Sequence, residues 1–196
     1  MILISHRRNT LSELTATPVQ YGVEVDIRSR GEELIIHHDA FAVGENFETW
    51  IAAYRHRTLI LNVKEEGLEG RLLTLMKRHQ LEDFFFLDQS FPFLMKTARA
   101  GENRCAVRVS EFESIETALS LAGKVQWVWV DCFNSGLWLT GAQARRLQAA
   151  GFRLCLVSPE LQARPSPEAL AEVLAHLKQE GIRMDAVCTK VPQQWM

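Results

Sequence analysis

Two carboxylates one residue apart, Glu24 and Asp26 in "GVEVDIR", stand inside an otherwise apolar run. In a strand they leave on the same face with Cα atoms about 7 Å apart, so they repel unless a cation lies between them. An ion pair with Arg7, Arg28 or Lys64 meets that need, and so does a hard, oxygen-seeking metal such as Mg²⁺ or Ca²⁺. Proton-transfer candidates are His6, just after "MILIS", and the pair His37 and His38, where the apolar run "LII" ends in "HHD". Imidazole titrates near neutral pH, so two of them on opposite sides of a phosphate can divide general-base and general-acid work. Arg7 and Lys64 offer charge-assisted donors to phosphate oxygens, the arginine as a fork that reaches two at once. Carboxylates for a cation, cations for phosphate and histidines for protons are the ingredients of a phosphodiester site.

The elements that must position them are short. Eight runs have the length and composition of strands buried on both faces: "MILIS", "YGVEVDIR", "TLILNV", "FFFLD", "RCAVRV", "VQWVWVD", "FRLCLV" and "MDAVCT". Segments with helical spacing lie between most of them. The clearest is "SPEALAEVLAHLKQEG", with Ser166 as N-cap, Pro167 at the first helical position and Gly181 as the stop. Gly101, Gly123 and Gly151 end three others in the same way. Alternation of strand and helix predicts a parallel sheet with helical crossovers, and eight strands predict a compact (β/α)₈ TIM barrel. A doubly wound open sheet is the alternative, but "SHRRNTLSEL" lacks the Gly-rich first turn such sheets often carry. "GEELIIHHDAF" falls outside the eight and reads as a hairpin extension on the second strand, with "RSRGEE" as its turn. Only "VPQQWM" follows the eighth strand, so the last helix is expected to be missing or truncated.

In such a barrel the chemistry collects at the C-terminal ends of the strands. Those ends carry His6 and Arg7, Glu24 and Asp26, Asn62 and Lys64, Asp88, Arg108 and Glu111, Asp131 and Lys190. Asp88, Glu111 and Asp131 are therefore further rim candidates.

At 196 residues, 47% of them hydrophobic, the chain is expected to form one domain over residues 1–196 with a sizeable core. A formal charge of -2 and no basic block give no footprint for nucleic acid or an anionic membrane surface. No leader and no apolar run long enough to span a bilayer stand out, so a cytoplasmic location without membrane insertion is expected. Cys105, Cys132, Cys155 and Cys188 form no CxxC pair and read as core residues, Cys132 with some prospect of exposure. An apolar patch around Trp195 would leave room for a homodimer.

"SHRRNT", "GVEVDIR" and "IIHHD", in that order, resemble the glycerophosphodiester phosphodiesterase family. That family opens with His-Arg-Gly and Glu-Asn-Thr, continues with Glu-x-Asp on its second strand and places His-Asp after a hairpin strand. "LNVK" and, more faintly, "DAVCTKVP" extend the resemblance, which is dense over residues 2 to 64. It implies a barrel fold and metal-dependent hydrolysis of a small-molecule phosphodiester. By position it implies His6 and His38 as the acid/base pair, Glu24 and Asp26 as metal ligands, and Arg7 and Lys64 as phosphate-side cations. Asn62 stands where the family has a third acidic ligand and is expected to complete the metal site with one neutral oxygen, and Arg8 stands where the family has glycine. The segment after His-Asp is reduced to "AFAVGENFETW". The alternatives are a non-catalytic barrel that binds a phosphorylated or anionic ligand, and an aldolase-like reaction at Lys64 or Lys190.

Overall fold

The computed structural model describes residues 1–134, 136–162 and 166–196. The first half of the chain runs β1 (Ile2–Ser5), α1 (Leu11–Ala16), β2 (Gly22–Arg30), β3 (Glu33–Ile36), β4 (Glu45–Asn46), α2 (Phe47–Ala52), β5 (Leu59–Val63) and α3 (Glu69–Arg78). The second half runs β6 (Phe84–Leu87), α4 (Phe91–Arg99), β7 (Ala106–Val109), α5 (Ile115–Leu119), β8 (Trp127–Val130), α6 (Gly141–Ala149), β9 (Arg153–Val157), α7 (Pro167–Glu180) and β10 (Ala186–Thr189). Short 3₁₀ turns at Pro159–Gln162 and Pro192–Trp195 follow β9 and β10.

The eight expected strands are all present, and parallel pairing links β6, β5, β2, β1, β10, β9, β8 and β7 in that order. The result is a curled α/β sheet of TIM-like form. Between β6 and β7 the described contact is a single parallel bridge, Phe86 to Cys105, with the Phe86 amide donating to Arg104 O at 2.9 Å. This is a looser seam than the continuous ladders elsewhere. The expected hairpin is present as β3, antiparallel to β2 with Ile27 opposite Ile36.

Burial of both faces follows from the period of two. Val23, Val25 and Ile27 join the large cluster packed against the helices, whereas Ile4, Ile60, Phe85, Leu87, Trp127, Trp129 and Cys188 form the inner cluster. Phe85 stacks on Trp127 with centroids 4.5 Å apart. Glu24 pairs in register with Ile60, an inner residue, and Asp26 with Asn62. Glu24, Asp26 and Asn62 therefore leave on the inner face. His6, Lys64, Arg108, Asp131 and Lys190 share the parity of inner residues on their own strands.

Gly22 is required where β2 enters the sheet: a Cβ there would lie 2.6 Å from Thr58 O and 2.9 Å from Ile4 Cγ1. Helix α7 begins and ends as expected, with Ser166 Oγ accepting from the Ala169 amide and Gly181 left-handed at φ 63°.

Three features differ from the sequence expectation. Helix α1 was not anticipated, although a Thr10–Glu13 capping box closes its first turn. Strand β4 adds a third, two-residue strand beside β3. Trp195 does not create an apolar patch: it is buried, and its indole N–H donates to Ser158 Oγ at 3.1 Å. Cys132 is buried like the other three cysteines.

Candidate active site

The inner-face residues at the ends of β1, β2 and β5 converge. Glu24 and Asp26 are both fully buried. Glu24 Oε2 accepts from the Arg7 amide at 2.7 Å and lies 3.7 Å from His6 Nε2, while its Oε1 accepts from Asn62 Nδ2 at 2.8 Å. The Arg7 amide reaches Glu24 from a left-handed backbone at φ 49°, a conformation a non-glycine residue adopts at a cost. Asp26 Oδ2 accepts from Asn9 Nδ2 at 2.8 Å and lies 3.4 Å from Arg7 Nε. Asp26 Oδ1 faces Lys64 Nζ at 3.4 Å. The repulsion anticipated between the two carboxylates is thus answered by Arg7 and Lys64, not by Arg28. Arg28 donates to the His38 carbonyl through Nε and Nη2 and to the Lys64 carbonyl through Nη1, tying the ends of two segments together.

The network continues around the rim. Lys64 Nζ lies 3.0 Å from Asp88 Oδ2, Arg108 bonds Asp88, and Arg108 Nη1 lies 3.6 Å from Asp131 Oδ2. Of the three further rim candidates, Asp88 and Asp131 join this chain of alternating charges. Glu111 instead accepts from the Phe133 and Asn134 amides, fixing the loop after β8. A cavity of about 650 Å³ opens beside Asp88 and Arg108, walled by Phe91, Leu94, Val107 and Phe112.

Burial sets the protonation states. Desolvation, with help from Arg7, Lys190, Lys64 and Arg8, lowers the His6 pKa to about 3, so its imidazole is neutral at physiological pH. Desolvation and the neighbouring Asp26 charge push Glu24 up to about 7, against the pull of the Asn62 and Arg7 hydrogen bonds. The neutral imidazole lies 3.7 Å from a carboxyl that titrates near neutrality, and an anion held by Arg7 and Lys64 would offset the cationic part of what weakens it as a base.

His38 is placed differently from His6. Its ring is partly exposed, and Nδ1 sits 2.7 Å from Asp39 Oδ1, which holds the ring at the rim. His37 turns back on its own loop, Nδ1 accepting from the Asp39 amide at 2.9 Å. The structure therefore brings His6, Arg7, Glu24, Asp26, Asn62 and Lys64 into one contact network. It links His38 to that network through the Arg28 clamp on the backbone.

Asn9 was not singled out from the sequence, yet it holds Asp26 at both ends, donating to the carboxylate and accepting from the Asp26 amide at 3.0 Å. The signal was available in "RNT", the segment aligned with Glu-Asn-Thr. Glu160 was also missed: it accepts from Thr189 Oγ1 at 2.5 Å and from the Lys190 amide at 2.9 Å, tying β10 to the turn after β9.

No family model matches the chain, and no curated protein matches it in sequence. Solved structures do match. An Agrobacterium tumefaciens protein assigned to the glycerophosphoryl diester phosphodiesterases superposes with a TM-score of 0.71 at 15% identity, over 99% of this chain and 95% of that one. The fold is that of the glycerophosphodiester phosphodiesterases. A second such structure from A. tumefaciens gives a TM-score of 0.66 at 15% identity over 98% and 96% of the two chains. One from Parabacteroides distasonis gives 0.65 at 15% identity over 97% and 83%.

The resemblance to glycerophosphodiester phosphodiesterases implies a divalent ion, whose ligands would be Glu24, Asp26 and Asn62. Among the described residues, no three His, Cys, Asp or Glu side chains come together as a metal-holding group. Both Glu24 oxygens accept from N–H groups, and a cation flanks each Asp26 oxygen. Asp26 Oδ1 and Asn62 Oδ1 are buried without a hydrogen-bond partner among the described residues, two protein oxygens where a hard divalent ion takes six or more ligands, and Lys64 Nζ already stands 3.4 Å from the first. This arrangement does not fit a divalent ion. Among the described residues, no helix is long and apolar enough to cross a membrane.

Proposed function

We propose that this chain hydrolyses a small-molecule phosphodiester at the inner rim of the barrel. The observation that carries the reading is the convergence of His6, Arg7, Glu24, Asp26 and Lys64 on one buried network. The match of its fold to glycerophosphodiester phosphodiesterases supports the same reading.

In this mechanism Arg7 and Lys64 face the non-bridging phosphate oxygens and neutralise the charge that grows on them. His6, neutral and buried, is the general base: it takes a proton from water as the water oxygen bonds to phosphorus. His38 is the general acid, giving its proton to the alkoxide as the P–O bond breaks. Asp39 orients the His38 ring through Nδ1, so Nε2 is the nitrogen that exchanges the proton. Glu24, which titrates near neutrality, is placed to relay the proton from His6.

The test is release of p-nitrophenol from bis(p-nitrophenyl) phosphate by wild type, His6→Ala and His38→Ala. Loss of a general acid or base should lower kcat by about 10²- to 10⁴-fold. Turnover unchanged by His6→Ala would refute the assignment.

A second reading is favoured by one observation. Arg7 and Lys64 are already ion-paired to Asp26, as they would be in a barrel that only binds a phosphorylated ligand. A chain whose melting temperature rises with inorganic phosphate but that cleaves no diester would establish it.

A further inference from the structure

Asn62 lies opposite Asp26 in the β2–β5 register, at the level where an acidic residue would add a third negative charge to the pair on β2. Its amide does the reverse, pointing an N–H at Glu24 Oε1 at 2.8 Å. The Arg7 amide takes the other Glu24 oxygen at 2.7 Å. Asp26 Oδ2 is enclosed by Asn9 and the Arg7 side chain, and Oδ1, which has no hydrogen-bond partner among the described residues, has the Lys64 ammonium 3.4 Å away. Every carboxylate oxygen of the pair already faces a donor or a cation of this chain.

A hard divalent ion needs oxygens turned toward it, at about 2.1 Å for Mg²⁺ and up to about 2.6 Å for Ca²⁺. An ion about 2.1 Å from Asp26 Oδ1 would stand no more than about 5.5 Å from an ammonium 3.4 Å from the same oxygen. Lys64 is held where it is from its other side, by Asp88 at 3.0 Å, and Asp88 is held by Arg108. The ammonium is a fixed part of the site.

We propose that Arg7 and Lys64 do in this site what a divalent cation would do, so that the chain takes a phosphate-type anion without a metal, and that Asn62 is the residue that sets this. The inference rests on the phosphodiester reading only for the class of anion.

The experiment uses the full chain and two readouts that need no turnover. Calorimetric titration with Mg²⁺, Ca²⁺ and Mn²⁺ should show no stoichiometric binding in wild type, and the melting temperature should be the same in each metal and in chelator. Inorganic phosphate should raise the melting temperature of chelator-treated wild type but not of Lys64→Met. Asn62→Glu, or Asn62→Asp should the longer side chain prevent folding, should acquire a metal-dependent rise in melting temperature.

Stoichiometric binding of any of the three ions to wild type with a submillimolar Kd, weakened by Asp26→Asn, would overturn the proposal. So would phosphate stabilisation that appears only with metal. Phosphate binding without metal and without diester cleavage would keep this inference and remove the hydrolase reading. Cleavage that follows a titrated metal would do the opposite.

Discussion

Replacing Lys64 by methionine removes the one ammonium that bridges Asp26 and Asp88. At 3.4 Å and an effective dielectric of about 20, the Lys64–Asp26 attraction amounts to about 5 kcal/mol. Part of this is not lost on mutation, because Arg7 remains 3.4 Å from the other Asp26 oxygen and the cost of desolvating the ammonium disappears. Asp88 is partly exposed and keeps Arg108. The expected net loss is about 3 kcal/mol, in the range for a buried charge left short of a partner. Urea unfolding near neutral pH measures it as a lower midpoint at unchanged slope. A double-mutant cycle with Asp26→Asn should return a coupling of about 2 kcal/mol, because the isosteric amide no longer needs the cation. A single-mutant loss below about 1 kcal/mol, the value of an exposed pair, would refute the claim that Lys64 is a fixed part of a buried network. Additivity within about 0.5 kcal/mol would do the same.

Other consequences concern protons, a clamp and thiols. His6, held near 3 in the fold, binds fewer protons folded than unfolded between its ordinary 6.5 and 3, so its contribution is lost as pH falls through that window. Glu24, raised from 4.5 to about 7, binds more protons folded than unfolded in between, so its contribution grows as pH falls from 7 to 4.5. The two slopes oppose one another between 4.5 and 6.5. Glu24→Gln should therefore uncover an acid loss of about 1.4 kcal/mol per pH unit in that range, and an unchanged profile by urea titration would contradict the pairing. Asn9→Ala removes both bonds to Asp26 and should cost about 3 kcal/mol by the same unfolding assay; a loss under about 1 kcal/mol would mean that water takes its place. All four cysteines are buried, and burial raises the Cys105, Cys155 and Cys188 thiols, so a disulfide reagent should find no fast-reacting thiol before unfolding.

The strands were legible because both faces of the sheet are covered, which leaves unbroken apolar runs such as "TLILNV" and "VQWVWV". Their period of two also located the site, since Glu24, Asp26, Asn62 and Lys64 share parity with inner residues. Helix α1 is only six residues long, and its apolar spacing is too short to register, although its Thr10–Glu13 capping box lay in plain view. Strand β4 exists only because β3 offers it an edge, a tertiary reason that two residues cannot announce. The cation for Glu24 and Asp26 could be read as either metal or side chain. Which one follows from the direction of the Asn62 amide and from Asp88 holding Lys64, both consequences of how β2, β5 and β6 line up.

The loose join between β6 and β7 has a mechanical consequence. Where other strand pairs are held by ladders, this one has one bridge, with Arg104 on the Glu82 carbonyl and the Phe84 ring at one end and the Arg108–Asp88 pair reaching across at the other. Native-state hydrogen exchange should find its lowest-energy opening there, as a local separation rather than global unfolding. Such an opening would take Arg108 away from Asp88, which stays beside Lys64 on the β5 side, so Asp88 would draw harder on the ammonium it shares with Asp26 without disturbing β1 or β2. The seam thus acts as a tension adjuster for the buried charges: the presence of Arg108 at Asp88 sets how much of the Lys64 ammonium is left to Asp26.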